Sequence, residues 1–282
     1  AASDVYKRQV LDQMQKTVAE ARDHGPFVPS ITNIVTVNPV VNAQIGVGGS
    51  PAVFYQAEEG ESFAPECDAL YINLGTLIKD HETAVPATIK ALDQAGKPWL
   101  LDPVGIGKGR IHQKLISFIK DYPPTIIKGN ATEIIKLASA WGLKDQADQT
   151  FIGVDSKDSV QAAKSLAVKL ARFTKQVVVI SGPKDFVTDG NHHYSLKGGS
   201  ALMGQITGAG CMLAGVMAVY LGVAQPLTAA LTACTLFNQA SQAAAQSAQE
   251  PASFQTAFLD LLYSLSKEGK LEANYEEDDL ND

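Results

Sequence analysis

The chain has 282 residues, 45% of them hydrophobic and 19% charged, with a formal net charge of −7. That composition is globular and long enough for one large α/β domain or two small ones; no apolar run reaches the ~18 residues of a membrane-spanning helix, and the net acidity speaks against nucleic acid or an anionic membrane as partner. The N-terminus lacks the basic-then-apolar pattern of a secretory signal, and Cys67, Cys211 and Cys234 are too scattered for a disulfide framework or a metal cluster, so a cytoplasmic protein with free thiols is expected.

In chain order, "PAVFY" (51–55), "ALYINL" (69–74), "PWLLD" (98–102), "TIIKG" (125–129) and "QVVVISG" (176–182) read as buried strands. Polar or glycine turns and helically spaced segments (80–95, 110–121, 130–141, 157–173) alternate with them. That alternation predicts an α/β fold with a mostly parallel central sheet and helices on both faces. "DFVTDGNHHYSL" (185–196) predicts a hairpin around Asp189-Gly190. Ala-rich helices follow at 211–222, 227–248 and 254–267, giving a helical C-terminal part. No linker or repeat divides the chain, so residues 1–282 are expected to form one domain, with the acidic end, 269–282, solvated and mobile.

In such sheets ligands bind beyond the carboxyl ends of the strands. Three polar turns are expected there: "LDPVGIGKG" (101–109), "KGNATE" (128–133) and the glycine turn in "GQITGAGCMLAGVMAVY" (204–220). A helix beginning at Gly208, Ala209 and Gly210 offers unpaired amides and the positive end of its dipole to an anion; the same residues also fit a tight turn with a buried cysteine. "NATE" reads as a capping box, Asn130 at the N-cap and Glu133 three residues on, or as the seat of a metal-binding acid. Acids, an amide, a lysine and an anion-binding helix end suit phosphoryl transfer, which depends on positioning and charge neutralisation. No Walker sequence is present, which disfavours a P-loop enzyme.

Eight segments in order, "SITNIVTVN" (30–38), "GGSPAV" (48–53), "INLGTL" (72–77), "LDPVGIG" (101–107), "KGNATEI" (128–134), "GVDS" (153–156), "ITGAGC" (206–211) and "ASFQTAFLD" (252–260), resemble the hydroxyethylthiazole kinase family of thiamine salvage, within the ribokinase-like fold. The resemblance covers roughly residues 15–268 and leaves residues 1–9 outside it, as a possible non-native extension. It implies ATP- and Mg²⁺-dependent phosphorylation of the hydroxyl of 4-methyl-5-(2-hydroxyethyl)thiazole by a homotrimer. Active sites would lie between subunits, with residues 30–38 and 48–53 of one subunit facing the glycine turn of another.

Residue by residue, the resemblance makes Cys211 the base toward the acceptor hydroxyl, where related kinases carry Asp. A helix N-terminus is expected to lower its pKa from ~8.5. The alternative leaves catalysis to the amides of Gly208, Ala209, Gly210 and Cys211. Asp102 and Glu133 are the implied Mg²⁺ residues, being hard carboxylates. Lys128, Asn130, Ser181, Gly182 and Thr207 are implied on the nucleotide side, Lys128 replacing a common Arg without its fork. Asn33, Asn42, Val53 and Gly208 are implied on the acceptor side, where Val53 replaces a Met, Pro39 a Phe and Ala43 a Gly, so acceptor preference can differ. The rival readings are another ribokinase-like small-alcohol kinase, of hydroxymethylpyrimidine or pyridoxal type, and a thiazole- or nucleotide-binding regulator without turnover.

Overall fold

Alternate residues of the central strands enter two separate cores. Tyr71, Leu100, Ile126, Val177 and Val179 pack in one, and Leu70, Ile72, Leu101, Ile127, Val178 and Ile180 in the other. This is the period-two signature of a sheet covered on both faces, which explains why its strands read as unbroken apolar runs. The computed structural model describes residues 2–144 and 157–278; the segment "GVDS" (153–156) lies outside the described residues.

The nine-stranded sheet runs in the order β2 (Ser50–Val53), β1 (Phe27–Ile31), β3 (Leu70–Asn73), β4 (Trp99–Asp102), β5 (Ile126–Asn130), β6 (Val177–Ser181), β7 (Asp185–Thr188), β8 (His193–Leu196) and β9 (Tyr275–Glu277). Pairing is parallel from β2 to β6 and antiparallel from β6 to β9. The predicted hairpin is present as β7 and β8, with Gly190 at φ +93° in its loop.

One face is covered by α1 (Ala2–His24), α2 (Val37–Gly46), α8 (Ala209–Leu221), α9 (Pro226–Ser247) and α10 (Pro251–Glu268). The other carries α3 (Ala57–Phe63), α4 (His81–Ala95), α5 (Arg110–Asp121), α6 (Ala131–Ala140) and α7 (Lys157–Thr174). Every residue of α8 from Cys211 to Leu221 is buried. A helix apolar all round must run through the interior, and α8 does so between the sheet and α2 and α9.

One expectation changes. The acidic end does not hang free as far as residue 278. Tyr275 is buried and its hydroxyl donates to the Lys7 carbonyl at 2.5 Å, Tyr275–Glu277 add an edge strand to β8, and Asp278 accepts from Lys164 and Ser195. Its negative charge is thus answered by Lys164 rather than only by water. Residues 2–9, outside the resemblance, continue α1, and the Lys7 carbonyl is where the Tyr275 hydroxyl anchors.

Candidate active site

Sheet register assembles the site. Asn73 at the end of β3 is in register with Asp102 at the end of β4, and Asn130 at the end of β5 with Ser181 at the end of β6. Over these ends sits the start of α8. Gly208 is its N-cap at φ +83°, and a Cβ there would meet Thr36 Cγ2 at 2.7 Å. Only glycine tolerates both the backbone and the contact. A Cβ on Gly210 would meet Lys128 Nζ at 2.9 Å, so the lysine head lies directly beneath this turn.

Cys211 is 8% exposed. Its Sγ accepts from Asn73 Nδ2 at 3.2 Å and from Asn33 Nδ2 at 3.7 Å, and the Thr36 hydroxyl, which donates to the Asn33 carbonyl at 3.4 Å, also favours the thiolate. The helix-end argument expects a lowered pKa. The structure reverses that: burial pushes the thiol up and the Asp102 charge adds to the rise, outweighing Lys128, Thr36 and Asn73. Desolvation of a thiolate is the larger effect here, and the sulfur is a neutral thiol at neutral pH.

Asp102 is fully buried beside Lys128, with Nζ 3.8 Å from Oδ2. Burial raises its carboxyl to about 7, Lys128 opposing and Glu133 reinforcing the rise. Burial works to lower the Lys128 pKa, but Asp102, Glu133, Cys211 and Asp185 around it push it up, so the ammonium is a firm positive charge. Tyr71 donates to Asp102 Oδ2 at 3.2 Å, while Oδ1 is buried with no hydrogen-bond partner among the described residues.

Asn130 and Glu133 form the capping box: Glu133 N donates to Asn130 Oδ1 at 2.9 Å and Asn130 N to Glu133 Oε2 at 2.8 Å. The cap holds the acid in place beyond β5, leaving Oε1 for other partners. Among the described residues, no group of three or more His, Cys, Asp or Glu is placed to enclose a metal.

Two cavities flank the α8 turn. One, of 590 Å³, is lined by Ser181, Gly182, Ala209, Gly210, Phe237 and Asn238, among others. Its buried acid, Asp185, accepts from Gly182 N and Asn238 Nδ2, each at 3.0 Å, and burial raises its pKa. The other, of 670 Å³, is lined by Asn33, Thr36, Thr76, Val104, Gly208 and Cys211, among others. Thr207 is exposed on the preceding turn and lines neither.

Asn33, Lys128, Asp102, Cys211 and the glycine turn are brought together within one chain. Asn33 and Thr36 therefore face their own chain's glycine turn, which corrects for those two residues the expectation that 30–38 faces another subunit's. Asn42 is not brought in: it is exposed on α2, bonded to Asn38. Val53, at the end of edge strand β2, is half-buried and also lies outside both cavities. Sequence reasoning missed Asn73, Tyr71, Thr36, Asp185 and Asn238. For Asn73 a signal existed, an amide inside the apolar run of "ALYINL".

The profile of the "Hydroxyethylthiazole kinase family" matches residues 18–268. A hydroxyethylthiazole kinase of Bifidobacterium longum subsp. infantis is 40% identical over 278 residues, covering 92% of this chain and 88% of the relative. One from Cereibacter sphaeroides is 38% identical over 247 residues, covering 88% of this chain and 92% of its own. The solved hydroxyethylthiazole kinase structure from Pyrococcus horikoshii superposes with a TM-score of 0.81 at 28% identity, over 94% of this chain and 99% of that one. A Staphylococcus aureus pyridoxal kinase in complex with ADP shares the fold, with a TM-score of 0.57 at 16% identity over 77% of this chain and 88% of that one.

Proposed function

The chain belongs to the hydroxyethylthiazole kinase family, and on that premise we propose that it transfers the γ-phosphoryl group of ATP to the hydroxyl of 4-methyl-5-(2-hydroxyethyl)thiazole, a step of thiamine synthesis or salvage. The observation that carries this reading is the placement of the first turn of α8 as a wall shared by two cavities, Ala209 and Gly210 facing one and Gly208 and Cys211 the other. A phosphoryl group passing between donor and acceptor has to cross at such a wall.

In this reading ATP occupies the Ser181–Gly182 side, with its phosphates toward the free amides of Gly208 to Cys211, which would hold the phosphoryl oxygens. Lys128 supplies positive charge under the turn, Asn130 ends β5 in register with Ser181, and Thr207 would meet the nucleotide from the exposed turn outside the cavity. The acceptor lies on the Asn33–Cys211 side with its hydroxyl at the sulfur. Cys211 takes the hydroxyl proton as base, and its raised pKa makes the reactive thiolate scarce at neutral pH.

The residues fit Mg²⁺. Asp102 Oδ1 is a hard, buried oxygen with no hydrogen-bond partner among the described residues, and Glu133 is fixed nearby by its cap. Mg²⁺ keeps most of its waters and takes one or two protein carboxylates, so Asp102 and Glu133 suffice without an all-protein cage. When bound, the ion would offset the charge on the transferred group. We also propose a single kinase domain over residues 1–282 acting as a homotrimer, with Asn42 and Val53 completing a neighbour's site. A cytoplasmic setting is supported by the free thiols Cys67, Cys211 and Cys234 and by the use of ATP. Among the described residues, no helix is long and apolar enough to cross a membrane.

The test is transfer of labelled γ-phosphate to a panel of alcohols. Label should pass to the thiazole alcohol in the presence of ATP and Mg²⁺. Transfer only to hydroxymethylpyrimidine or pyridoxal, or nucleotide binding without transfer, would replace this reading with one of its rivals.

A further inference from the structure

Asn73 is fully buried where the acceptor cavity meets the acid and lysine pair. Its Oδ1 accepts from Gly75 N at 2.8 Å and from Asn33 Nδ2 at 3.2 Å. Its Nδ2, with two hydrogens to give, lies within bonding distance of three acceptors, the Tyr71 hydroxyl at 2.8 Å, Cys211 Sγ at 3.2 Å and Asp102 Oδ2 at 3.3 Å, so one N–H is shared between two of them. Tyr71 in turn donates to the same Asp102 oxygen. One amide thus uses its full bonding capacity, and through it the acceptor wall (Asn33, Gly75), the thiol and the carboxylate form one connected network.

We propose that Asn73 is a positioning residue for phosphoryl transfer, its amide N–H groups fixing the Cys211 sulfur and the Asp102 carboxylate relative to one another. The inference rests on the kinase reading above, since it assigns the two groups to opposite ends of one reaction. The orientation of the amide is over-determined. Oδ1 is claimed by a backbone N–H that can only donate, so the NH₂ end must face sulfur and carboxylate. With Asn73 on a rigid strand end, neither group can swing without breaking a buried bond. Misplacement of reacting groups by about 1 Å can lower rates about a hundredfold, so the effect belongs in kcat and not in KM: Asn73 lines neither cavity.

The experiment compares wild type with Asn73→Leu, which removes both functions at similar volume, and with Asn73→Asp. The second keeps the acceptor for Gly75 N and hence the loop, but turns the donor face into an acceptor. Nucleotide-binding stoichiometry and Tm identify the folded population. Both variants should lose at least about thirtyfold in kcat, with KM for ATP and for the thiazole alcohol within about threefold. A folded variant whose kcat stays within threefold of wild type, or whose loss sits in KM, overturns the proposal. A second readout needs no turnover. N–H donation to sulfur favours its thiolate, so alkylation of Cys211 by iodoacetamide, followed by mass, should be severalfold slower in Asn73→Leu. An unchanged or faster rate overturns the proposal. If wild type itself fails to phosphorylate the thiazole alcohol, the kinase reading falls separately, while alkylation still reports on the network.

Discussion

Two opposed effects meet at Cys211: a helix start that favours a thiolate and a buried, anionic neighbourhood that disfavours it, and the second prevails. The activity of a base with a raised pKa should climb with pH and still be climbing beyond the ordinary thiol value of about 8.5. In Cys211→Asp, which keeps Asn73, Asn33 and Lys128 as partners, we expect that slope to vanish at neutral pH and turnover to be equal or higher. Cys211→Ala should lose on the order of a hundredfold or more in kcat, the usual worth of general-base help; a loss below tenfold would assign catalysis to the amides of the turn. At Asp102, the change to Asn removes the charge that would face Mg²⁺, so kcat should drop sharply and the Mg²⁺ concentration for half-maximal rate should rise. Unaltered Mg²⁺ dependence would take Asp102 out of the metal site. Cys211 and Asp102 could be read from the sequence because each stands at a glycine or proline turn inside a segment that resembles the family, "ITGAGC" and "LDPVGIG". Asp185 could not. It opens a strand as any polar residue can, and only the fold shows it buried and bonded to Gly182 and Asn238.

Among the elements, the start of α8 is the most constrained, by Gly208 at positive φ and by the Thr36 methyl beside it. Gly208→Ala should destabilise the protein by about 1–3 kcal/mol from backbone strain alone, with more from the clash. Thr36→Ser removes the offending methyl and keeps the hydroxyl that donates to the Asn33 carbonyl. A double-mutant cycle by denaturant unfolding should therefore show Gly208→Ala costing less in the Thr36→Ser background. Strict additivity would mean that backbone strain is the whole effect. The central strands and most long helices were legible because period and apolarity coincide there. β1 was not, because Pro29 breaks the strand pattern yet sits within a strand paired on both sides. β9 was hidden for another reason: of "YEE" only Tyr275 is buried, so its pairing comes from the tertiary contact of Tyr275 and Asp278 and not from local pattern.

The whole molecule carries opposing proton-linked terms. Burial lowers the pKa values of His81, His112 and His193, so the unfolded chain binds more protons there, and their contribution to stability is full above about pH 6.5 and declines as pH falls. Asp102, raised to about 7, binds its proton more readily when folded, so its contribution is lost as pH rises from about 4 to 7. Removing it by Asp102→Asn should steepen the rise of stability between pH 5 and 7, by at most about 1.4 kcal/mol per pH unit for one proton; denaturant unfolding at pH 5, 6 and 7 checks this, and a flatter profile would refute the sign. Assembly is the last matter at this scale. Among the described residues β2 is an edge strand of the sheet, and Ile34, Val35 and Ile45 are 58%, 61% and 53% exposed. Apolar side chains of that size beside an open edge are the ordinary signature of a subunit contact. Asn33 and Thr36 already serve their own chain's site, so they cannot report on sharing between subunits; Asn42 and Val53, which reach neither cavity of their own chain, can. Light scattering should give three times the chain mass. Co-refolding inactive Cys211→Ala chains with inactive Val53→Asp chains should restore part of the wild-type activity, because a mixed trimer holds some sites with an intact sulfur and an intact neighbouring wall. If Val53→Asp alone keeps full activity, or if the mixture stays inactive although the trimers mix, each chain works with its own residues and the shared site is wrong.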